Sequence, residues 1–429
     1  MTSLLRGRFR YVIALLLFAA ATINYIDRQS ISIAEHELKR EFSLTPQEYG
    51  YILSWFFLAY AIGQVATGWL VDRIGARRGF TIAVVGWSIA NIAHAFGAGV
   101  RSFSGLRFLL GLFEAANYPA ALKAISQWFP TAERSTAVGL VNAGVGFGAI
   151  VAGPFVAWLI LTSGWRGAFI LTGSLGLVWL IFWLGLYQSP ETHPEVTREE
   201  RELILEGRTG AETGERSSLT ALLSRRETWG LMLSRFVADG AFYFFATWLP
   251  KYLADVRGLS LAQIGWMVSI PFIAADLGSI AGGFGGTALI KRGLSIDASR
   301  KGLMWAGALL VPIALLALRA ESPVAALMWI GVGMFGIQVK SASLFTLPAD
   351  IFKSQDLALA WGLSGAAGSF GASLFTPLVG YLVTNFSYAP VFWIISLMHI
   401  VSCLVVMLFL PQIAGPAAIT RDSSKEITP

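Results

Sequence analysis

Residues 11–33 have the sequence YVIALLLFAAATINYIDRQSISI, an apolar run that contains one carboxylate and one guanidinium, at Asp27 and Arg28. A run of this length can form a helix that crosses the roughly 30 Å hydrocarbon core of a bilayer. Each charge inside such a helix costs about 2.5–3.5 kcal/mol on insertion scales, so intramembrane charges normally face a water-filled cavity or a partner. The stretch therefore indicates either an ion or substrate path or a buried structural ion pair.

The composition indicates a polytopic membrane protein. Of 429 residues, 55% are hydrophobic and 14% are charged, whereas a soluble protein has about 25% charged residues. The single cysteine, Cys403, lies in an apolar run, so no intramolecular disulfide is expected. The first apolar run contains Asp27 and Arg28 and leads directly into further spans, which argues against a cleaved signal peptide.

Twelve apolar runs each have about the length of a membrane-crossing helix. Helices are expected because an open strand would leave backbone groups unpaired in lipid. With the N-terminus inside, 20 of the 32 Lys and Arg residues lie in inner segments and 6 in outer loops. This bias predicts that both termini are cytoplasmic, and it explains the net charge of +6 without nucleic acid. The expected location is the bacterial inner membrane. The predicted spans are residues 11–33, 50–71, 79–98, 104–127, 135–159, 165–187, 229–250, 260–289, 302–318, 323–346, 357–383 and 388–410.

The two halves of the chain resemble each other. At a constant offset of 223 residues, Phe147-Gly148-Ala149 and Pro154 correspond to Phe370-Gly371-Ala372 and Pro377. A duplicated six-helix unit predicts alternating access to a substrate site near the bilayer centre, between the halves. A surface helix is expected at residues 197–208, in the linker. The predicted organisation is an N-terminal six-helix bundle (1–187), a cytoplasmic linker (188–228), a C-terminal six-helix bundle (229–411) and a cytoplasmic tail (412–429).

A charged turn follows the second span. Residues 68–78 have the sequence GWLVDRIGARR, in which Gly68 would let helices approach closely, Asp72 would cap or pair at a helix end, and Arg73 would hold the turn inside. The alternative is an ordinary positive-inside loop. The spacing resembles the loop-2/3 signature of the major facilitator superfamily, and a degraded copy lies at residues 286–293. The resemblance implies an all-α fold of twelve transmembrane helices in two pseudo-symmetric halves, with these three residues in gating.

Further motifs resemble one branch of that superfamily. Residues 24–28 (NYIDR), the Arg-x6-Glu spacing of Arg107 and Glu114, and Trp128-Phe129-Pro130 resemble the anion:cation symporter family. Blocks at residues 247–252 and 272–278 resemble its hexuronate-transporter branch. The resemblance implies transport of a sugar acid, such as a hexuronate, an aldonate or an aldarate, by a protein that is not an enzyme.

The charged residues of the first and fourth spans form the predicted site. Arg107 and Glu114 are seven residues apart and share one helix face. At about 1.5 Å per residue, Arg107 lies within about 5 Å of the depth of Asp27 and Arg28, and Glu114 lies about 10 Å deeper, near the bilayer midplane. Arginine presents a planar fork that matches a carboxylate, so Arg28 is the predicted substrate clamp, with Arg107 assisting it or holding Glu114. Asp27 and Glu114 are the predicted proton-coupling groups, and protonation of Asp27 is expected to release Arg28. The alternative for Arg107 and Glu114 is a structural bridge.

Other polar residues within the spans complete the set of candidates. Arg235 and Asp239 form either a second polar wall for the substrate or a structural i,i+4 pair. Lys340 either contacts the substrate or extends to the inner membrane face, and the second interpretation is favoured. Four residues are candidates for substrate hydroxyl groups, or else satisfy neighbouring helices: Tyr25, Tyr60, Gln64 and Asn142.

The leading hypothesis is a proton-coupled symporter that imports an organic anion, as a monomer in the lipid bilayer, without a cofactor. No His or Cys spacing suits a metal, no GxxxxGK(S/T) phosphate loop occurs, and no nucleophile and base suggest an enzyme. Sodium is the alternative coupling ion. The alternative functions are another organic-anion carrier or exchanger, for a dicarboxylate or an organophosphate, and a membrane sensor that does not transport.

Overall fold

The computed structural model describes residues 8–130, 133–206 and 217–413. Within these ranges the chain is almost entirely helical and contains no β-strand. Short 3-10 helices lie at His94–Phe96 and Val311–Arg319. The α-helices are α1 (Phe9–Phe42), α2 (Pro46–Ala93), α3 (Val100–Glu114), α4 (Asn117–Trp128), α5 (Arg134–Leu186), α6 (Arg198–Glu206), α7 (Leu219–Leu223), α8 (Arg226–Arg257), α9 (Leu261–Met267), α10 (Ser269–Lys291), α11 (Ile296–Leu310), α12 (Pro323–Leu344), α13 (Leu347–Ile351), α14 (Ser354–Asn385) and α15 (Ala389–Phe409).

These helices account for the twelve predicted membrane spans. Helices α2 and α5 each contain two of the spans, separated at Gly75 (φ 81°, ψ 163°) and Gly164 (φ 72°, ψ 167°). Only glycine adopts such a backbone conformation readily, so these two positions require it. In the described ranges, nine helical segments are long and apolar enough to cross a membrane. The all-α, twelve-helix fold predicted from the sequence is confirmed.

Prolines explain why several spans consist of two helices. The fourth span is divided between α3 and α4 at Ala115, because Pro119 has no N–H to donate to the Ala115 carbonyl. The Thr67 hydroxyl donates to that carbonyl instead, at 3.5 Å. In the same way, Pro271 follows the break between α9 and α10, and Pro348 follows the break between α12 and α13. The break between α3 and α4 places Glu114, the carboxylate of the fourth span, at the end of α3.

A glycine contact sets the packing of α5 against α1. A Cβ at Gly148 would lie 2.7 Å from the carbonyl oxygen of Thr22 and 2.9 Å from the Cβ of Tyr25. The absence of a side chain therefore lets the two backbones approach closely. The rings of Phe18 and Phe147 add a contact at 5.8 Å between centroids. Together these contacts fix the part of α1 from which the predicted site residues project.

The same kind of contact recurs between α8 and α14. Gly371 corresponds to Gly148 at the offset of 223, and a Cβ there would lie 2.1 Å from the carbonyl oxygen of Phe236. The ring of Phe236 lies 6.2 Å from that of Phe370, the counterpart of Phe147. The two halves therefore share a packing arrangement as well as a sequence register.

The chain forms two compact units. Unit 1 comprises Met1–Ala211 with Ala254–Ser269, and unit 2 comprises Glu212–Leu253 with Ile270–Pro429.

The predicted surface helix of the linker is confirmed by helix α6. In the predicted tail, Ile413 is buried and donates its N–H to Asp297 at 2.9 Å. Linker residues 207–216 and tail residues 414–429 lie outside the described ranges. The predicted boundaries of bundles, linker and tail stay predictions.

Helix α1 begins beside a cluster of charged side chains, one of which belongs to α6. The two carboxylate oxygens of Glu200 accept the backbone N–H groups of Phe9 and Arg10, each at 3.0 Å. They satisfy donors that an isolated helix start leaves free. The Arg10 guanidinium also donates to Glu133 at 2.8 Å and thereby lowers the pKa of that carboxyl. The linker helix is thus attached to the start of the first span.

Candidate functional site

The first and fourth spans meet at a cluster of charges within unit 1. Arg28 Nε donates to Glu114 Oε2 at 2.9 Å, and Arg28 Nη2 donates to the side-chain oxygen of Asn24 at 3.4 Å. Arg107 Nη1 donates to the carbonyl oxygen of Arg28 at 3.4 Å. Arg107 and Glu114 are fully buried. Three of the four charged candidates are therefore in direct contact.

Glu114 pairs with Arg28 and not with Arg107, which contradicts one of the two roles predicted for Arg107. Arg28 holds the Glu114 carboxylate, and the expectation that Arg107 does so is wrong. Helical side chains point toward the N-terminus of their helix. On α3 this direction takes Arg107 away from Glu114, seven residues later. The antiparallel α1 directs Arg28 toward Glu114 instead.

Aromatic rings hold the two guanidinium groups without occupying their N–H groups. The guanidinium carbon of Arg28 lies 4.8 Å from the ring centroid of Tyr25 and 4.6 Å from that of Tyr60. Arg107 lies 4.3 Å from the Phe56 ring. A Cβ at Gly111 would lie 2.4 Å from the Phe56 carbonyl oxygen, so glycine there lets α3 approach α2. The rings stabilise cations through their π faces and leave hydrogen-bond donors for a ligand.

Several buried polar atoms of the cluster have no hydrogen-bond partner among the described residues. They are Nε and Nη2 of Arg107 and Oε1 of Glu114. An unsatisfied buried polar group costs about 1–3 kcal/mol, and more if it is charged. Such atoms are rare in folded proteins and call for an explanation. Nε and Nη2 of one guanidinium present the parallel N–H donors that a carboxylate can accept together.

Asp27 points away from this cluster. Its Oδ1 accepts the Asn91 side-chain N–H at 2.7 Å, and its Oδ2 has no partner among the described residues. The same Asn91 nitrogen lies 2.8 Å from the Thr172 hydroxyl oxygen. The expectation that Asp27 holds Arg28 is wrong, because successive residues of a helix project about 100° apart. The Asp27 carboxylate instead joins α1 to α2 and α5.

Three residues of the site, Asn91, Thr172 and Phe56, are not among those predicted from the sequence. Asn91 gave a signal, since it is an amide inside the predicted span 79–98, and it is fully buried. Thr172 gave none, because threonine is common in membrane helices, where its hydroxyl often bonds to the preceding turn. Phe56 could not be distinguished from the other phenylalanines, because its role depends on which ring lies beside each arginine.

The remaining polar candidates of unit 1 lie on α2 and α5. Gln64 is half-buried, one turn after Tyr60. Asn142 is exposed and within hydrogen-bonding reach of the Tyr118 hydroxyl. Their predicted contacts with substrate hydroxyl groups stay predictions, as do those of Tyr25 and Tyr60.

The charged turn after the second span has a different structural basis from the predicted one. A Cβ at Gly68 would meet nothing within 4 Å, so the expectation that Gly68 permits close helix packing is wrong. Gly75 is the residue that the turn requires, because of its positive φ. Arg73 is exposed, and its guanidinium lies 3.8 Å from the centre of the Trp69 ring. The side chain of Asp72 lies outside what the structure describes.

Unit 2 contains a second arginine with a free N–H. Arg235 Nε donates to Asp239 Oδ2 at 2.9 Å, as the i,i+4 spacing predicts, and Arg235 Nη1 has no partner among the described residues. The guanidinium lies 4.8 Å from the Phe345 ring centroid. Gly368 makes room for the pair, because a Cβ there would lie 2.1 Å from Asp239 Oδ2.

Lys340 is enclosed in unit 2. Its Nζ donates to the hydroxyl of Ser402, which donates in turn to the Ser234 carbonyl oxygen at 2.9 Å. Lys340 is fully buried, so the interpretation that it extends to the membrane face is wrong. The reason is the close approach of α11, since a Cβ at Gly307 would lie 2.6 Å from the Lys340 backbone nitrogen.

The family of the chain follows from its sequence as a whole. Residues 17–296 match the family model described as Major Facilitator Superfamily. The chain belongs to the major facilitator superfamily. Among solved members of this fold, the inward open xylose transporter XylE from E. coli superposes with a TM-score of 0.73, over 94% of this chain and 96% of that one. The identity is 17%, so this likeness supports the fold alone.

Curated relatives place this superfamily member in its sugar-acid branch. It is 32% identical over 407 residues to the hexuronate transporter of Escherichia coli K12, which covers 94% of each chain. It is 34% identical over 283 residues to the galacturonate transporter of Dickeya chrysanthemi, which covers 65% of this chain and 82% of that one. The D-galactonate transporter of E. coli O6:H1 is 30% identical, over 93% of this chain and 95% of its own. The chain is therefore a multi-pass membrane transporter and not an enzyme.

Proposed function

We propose that this transporter imports a sugar-acid anion, of which a hexuronate such as glucuronate or galacturonate fits best, together with a proton. The observation on which the proposal depends is the cluster of Arg28, Glu114 and Arg107. It contains two guanidinium groups, one carboxylate and two buried guanidinium nitrogens, on Arg107, that have no hydrogen-bond partner among the described residues. A carboxylate ligand would accept the N–H groups of these nitrogens and balance the second positive charge.

Glu114 connects anion binding to proton binding in this mechanism. While it is ionised, it occupies the Arg28 Nε–H at 2.9 Å. Once it is protonated, it no longer attracts the guanidinium, and Arg28 is free to bind the substrate carboxylate. The anion and the proton then enter the site together, because each removes the obstacle to the other. Glu114 thus controls the release of Arg28, which the sequence suggested for Asp27, and Asp27 stays in the proposal as a second proton-coupling group.

The relatives narrow the class of substrate. Relatives at 30–34% identity are named for hexuronate, galacturonate, galactarate/D-glucarate and D-galactonate, which are all sugar acids with at least one carboxylate and several hydroxyl groups. Tyr25 and Tyr60 border Arg28 with phenol groups that can donate to or accept from hydroxyls. A duplicated six-helix fold suits alternating access. We further infer a monomer in the bacterial inner membrane with both termini in the cytoplasm, from the Lys and Arg bias.

Uptake by purified protein in proteoliposomes tests this proposal. Labelled glucuronate or galacturonate should accumulate when the interior is alkaline, and a protonophore should abolish the accumulation. Accumulation that follows a sodium gradient and ignores the pH gradient would overturn proton coupling. Counterflow driven by internal phosphate would favour an exchanger, and binding without any uptake would favour a sensor.

A further inference from the structure

The buried side chain of Asn91 connects the carboxylate of Asp27 to a hydroxyl on another helix. Asp27 lies on α1, Asn91 on α2 and Thr172 on α5, and all three side chains are fully buried. The Asn91 nitrogen lies 2.7 Å from Asp27 Oδ1 and 2.8 Å from Thr172 Oγ1. Both N–H groups of the amide are therefore used as donors. The amide oxygen has no partner among the described residues.

This arrangement suits an ionised Asp27, and a rotated amide would suit the protonated form. A carboxylate only accepts hydrogen bonds, so the nitrogen of the amide must face it. A protonated carboxyl has one O–H to donate, and the oxygen of the amide could accept it. The Thr172 hydroxyl can donate or accept, so it can serve either orientation. Rotation of the amide by 180° exchanges its nitrogen and oxygen without moving a helix.

We propose that Asn91 is a positioning residue that keeps a hydrogen bond to Asp27 in both protonation states by rotating its amide. In one state the amide N–H groups point to the Asp27 carboxylate and the Thr172 hydroxyl. In the other, the Asp27 carboxyl and the Thr172 hydroxyl both donate to the amide oxygen. The buried acid thus changes its charge without losing its partner. This inference rests on the proposed proton-coupled transport.

The neighbouring charged groups are engaged elsewhere. On α1, Arg28 donates to Glu114, and on α3, Arg107 donates to the Arg28 carbonyl oxygen. On α2, His94 lies one turn after Asn91, and its Nδ1 contacts the Ala90 carbonyl oxygen at 2.7 Å. Thr172 is the group that α5 contributes, and it has no charge. The amide of Asn91 donates to the Asp27 carboxylate, and the Thr172 hydroxyl lies within hydrogen-bonding reach of it. The charge of Glu114 acts on this carboxylate as well.

Infrared difference spectroscopy of purified protein during a pH titration tests whether Asn91 stays hydrogen-bonded to the protonated form of Asp27. The C=O stretch of protonated Asp27 is assigned by its loss in Asp27→Asn. In Asn91→Leu this band should move to higher wavenumber, because the carboxyl no longer donates to an amide oxygen. Ser88→Ala is the matched control, since Ser88 is equally buried on the same helix and its hydroxyl has no partner among the described residues. An unchanged band in Asn91→Leu would overturn the proposal.

Transport assays separate positioning from a purely structural role. In Asn91→Leu, uptake driven by the pH gradient should reach half its maximum at a pH about one unit higher, because the ionised acid loses more than the neutral one. Exchange of labelled for unlabelled substrate should stay within about twofold, and Asn91→Gln should restore part of the pH profile. An equal loss of uptake and exchange would overturn the proposal. If the wild-type protein shows no coupled uptake, the proposed function fails, and the infrared result still decides the role of Asn91.

Discussion

At the scale of single residues, the two arginines of unit 1 differ in what they offer a ligand. Arg107 has two buried guanidinium nitrogens without a partner among the described residues, whereas Arg28 is held by Glu114 at 2.9 Å and by two aromatic rings. The N–H groups on these two nitrogens of Arg107 are thus not occupied by Glu114, whether or not it is ionised. Arg28 becomes available when Glu114 is protonated. The difference allows one cluster to bind an anion and to sense a proton.

Replacing Arg28 by lysine separates charge from geometry. Arg28→Lys keeps the positive charge but loses the planar fork and the stacking between rings, so the affinity for a hexuronate should fall roughly tenfold to a hundredfold. Calorimetric titration of the purified protein measures this. Arg166→Lys is the matched control, because Arg166 is exposed and pairs with Glu41. Unchanged affinity in Arg28→Lys would show that the fork does not bind the substrate.

At the scale of helices, glycines decide where backbones meet, and sequence motifs identify them poorly. A Cβ at Gly111 would lie 2.4 Å from the Phe56 carbonyl oxygen, yet one at Gly68, in the recognised motif, would meet nothing within 4 Å. The reason is that glycine serves two different needs, close approach and unusual backbone angles. Neither need can be inferred without knowing the neighbouring helix.

The two glycines should therefore respond differently to a methyl group. Gly111→Ala forces α3 away from α2 and should reduce stability by about 1–3 kcal/mol, as overpacking does. Gly68→Ala is the matched control and should be neutral or stabilising by up to about 1 kcal/mol, because alanine favours the helix. Thermal unfolding in detergent compares them. Equal unfolding midpoints for both variants would contradict the packing of α3 on α2.

The stability that α1 gains from the pair of Arg10 with Glu133, in the loop before α5, should depend on pH. Arg10 lowers the pKa of Glu133, so the pair stabilises the fold above the ordinary glutamate pKa of about 4.3, and this contribution is lost as pH falls through the lowered value. The unfolding midpoint of the wild-type protein should therefore fall more steeply between about pH 5 and pH 3 than that of Glu133→Gln. Glu202→Gln, which alters an exposed pair with Arg198, is the control. Identical pH profiles for wild type and Glu133→Gln would contradict the role of this pair.

At the scale of the whole molecule, the sequence was sufficient for the fold and indicated the charged residues of the cluster, but it did not predict the contacts of Asn91, Thr172 and Phe56. Apolar runs of the right length predict the twelve spans, and a charge inside such a run predicts a functional group. The partners of these groups could not be predicted, because depth along a helix does not give the direction of a side chain. That missing direction explains why the sequence left Arg107 as one of two alternatives for the partner of Glu114 and did not connect Asn91 with Asp27.

The central claim is that binding of the anion and protonation of Glu114 are linked. Isothermal titration of glucuronate or galacturonate in buffers of different ionisation enthalpy counts the protons taken up on binding. Near neutral pH we predict uptake approaching about one proton per anion in the wild-type protein, and none in Glu114→Gln, which still binds the anion. Binding of the anion without proton uptake by the wild-type protein, or undiminished uptake in Glu114→Gln, would contradict the claim.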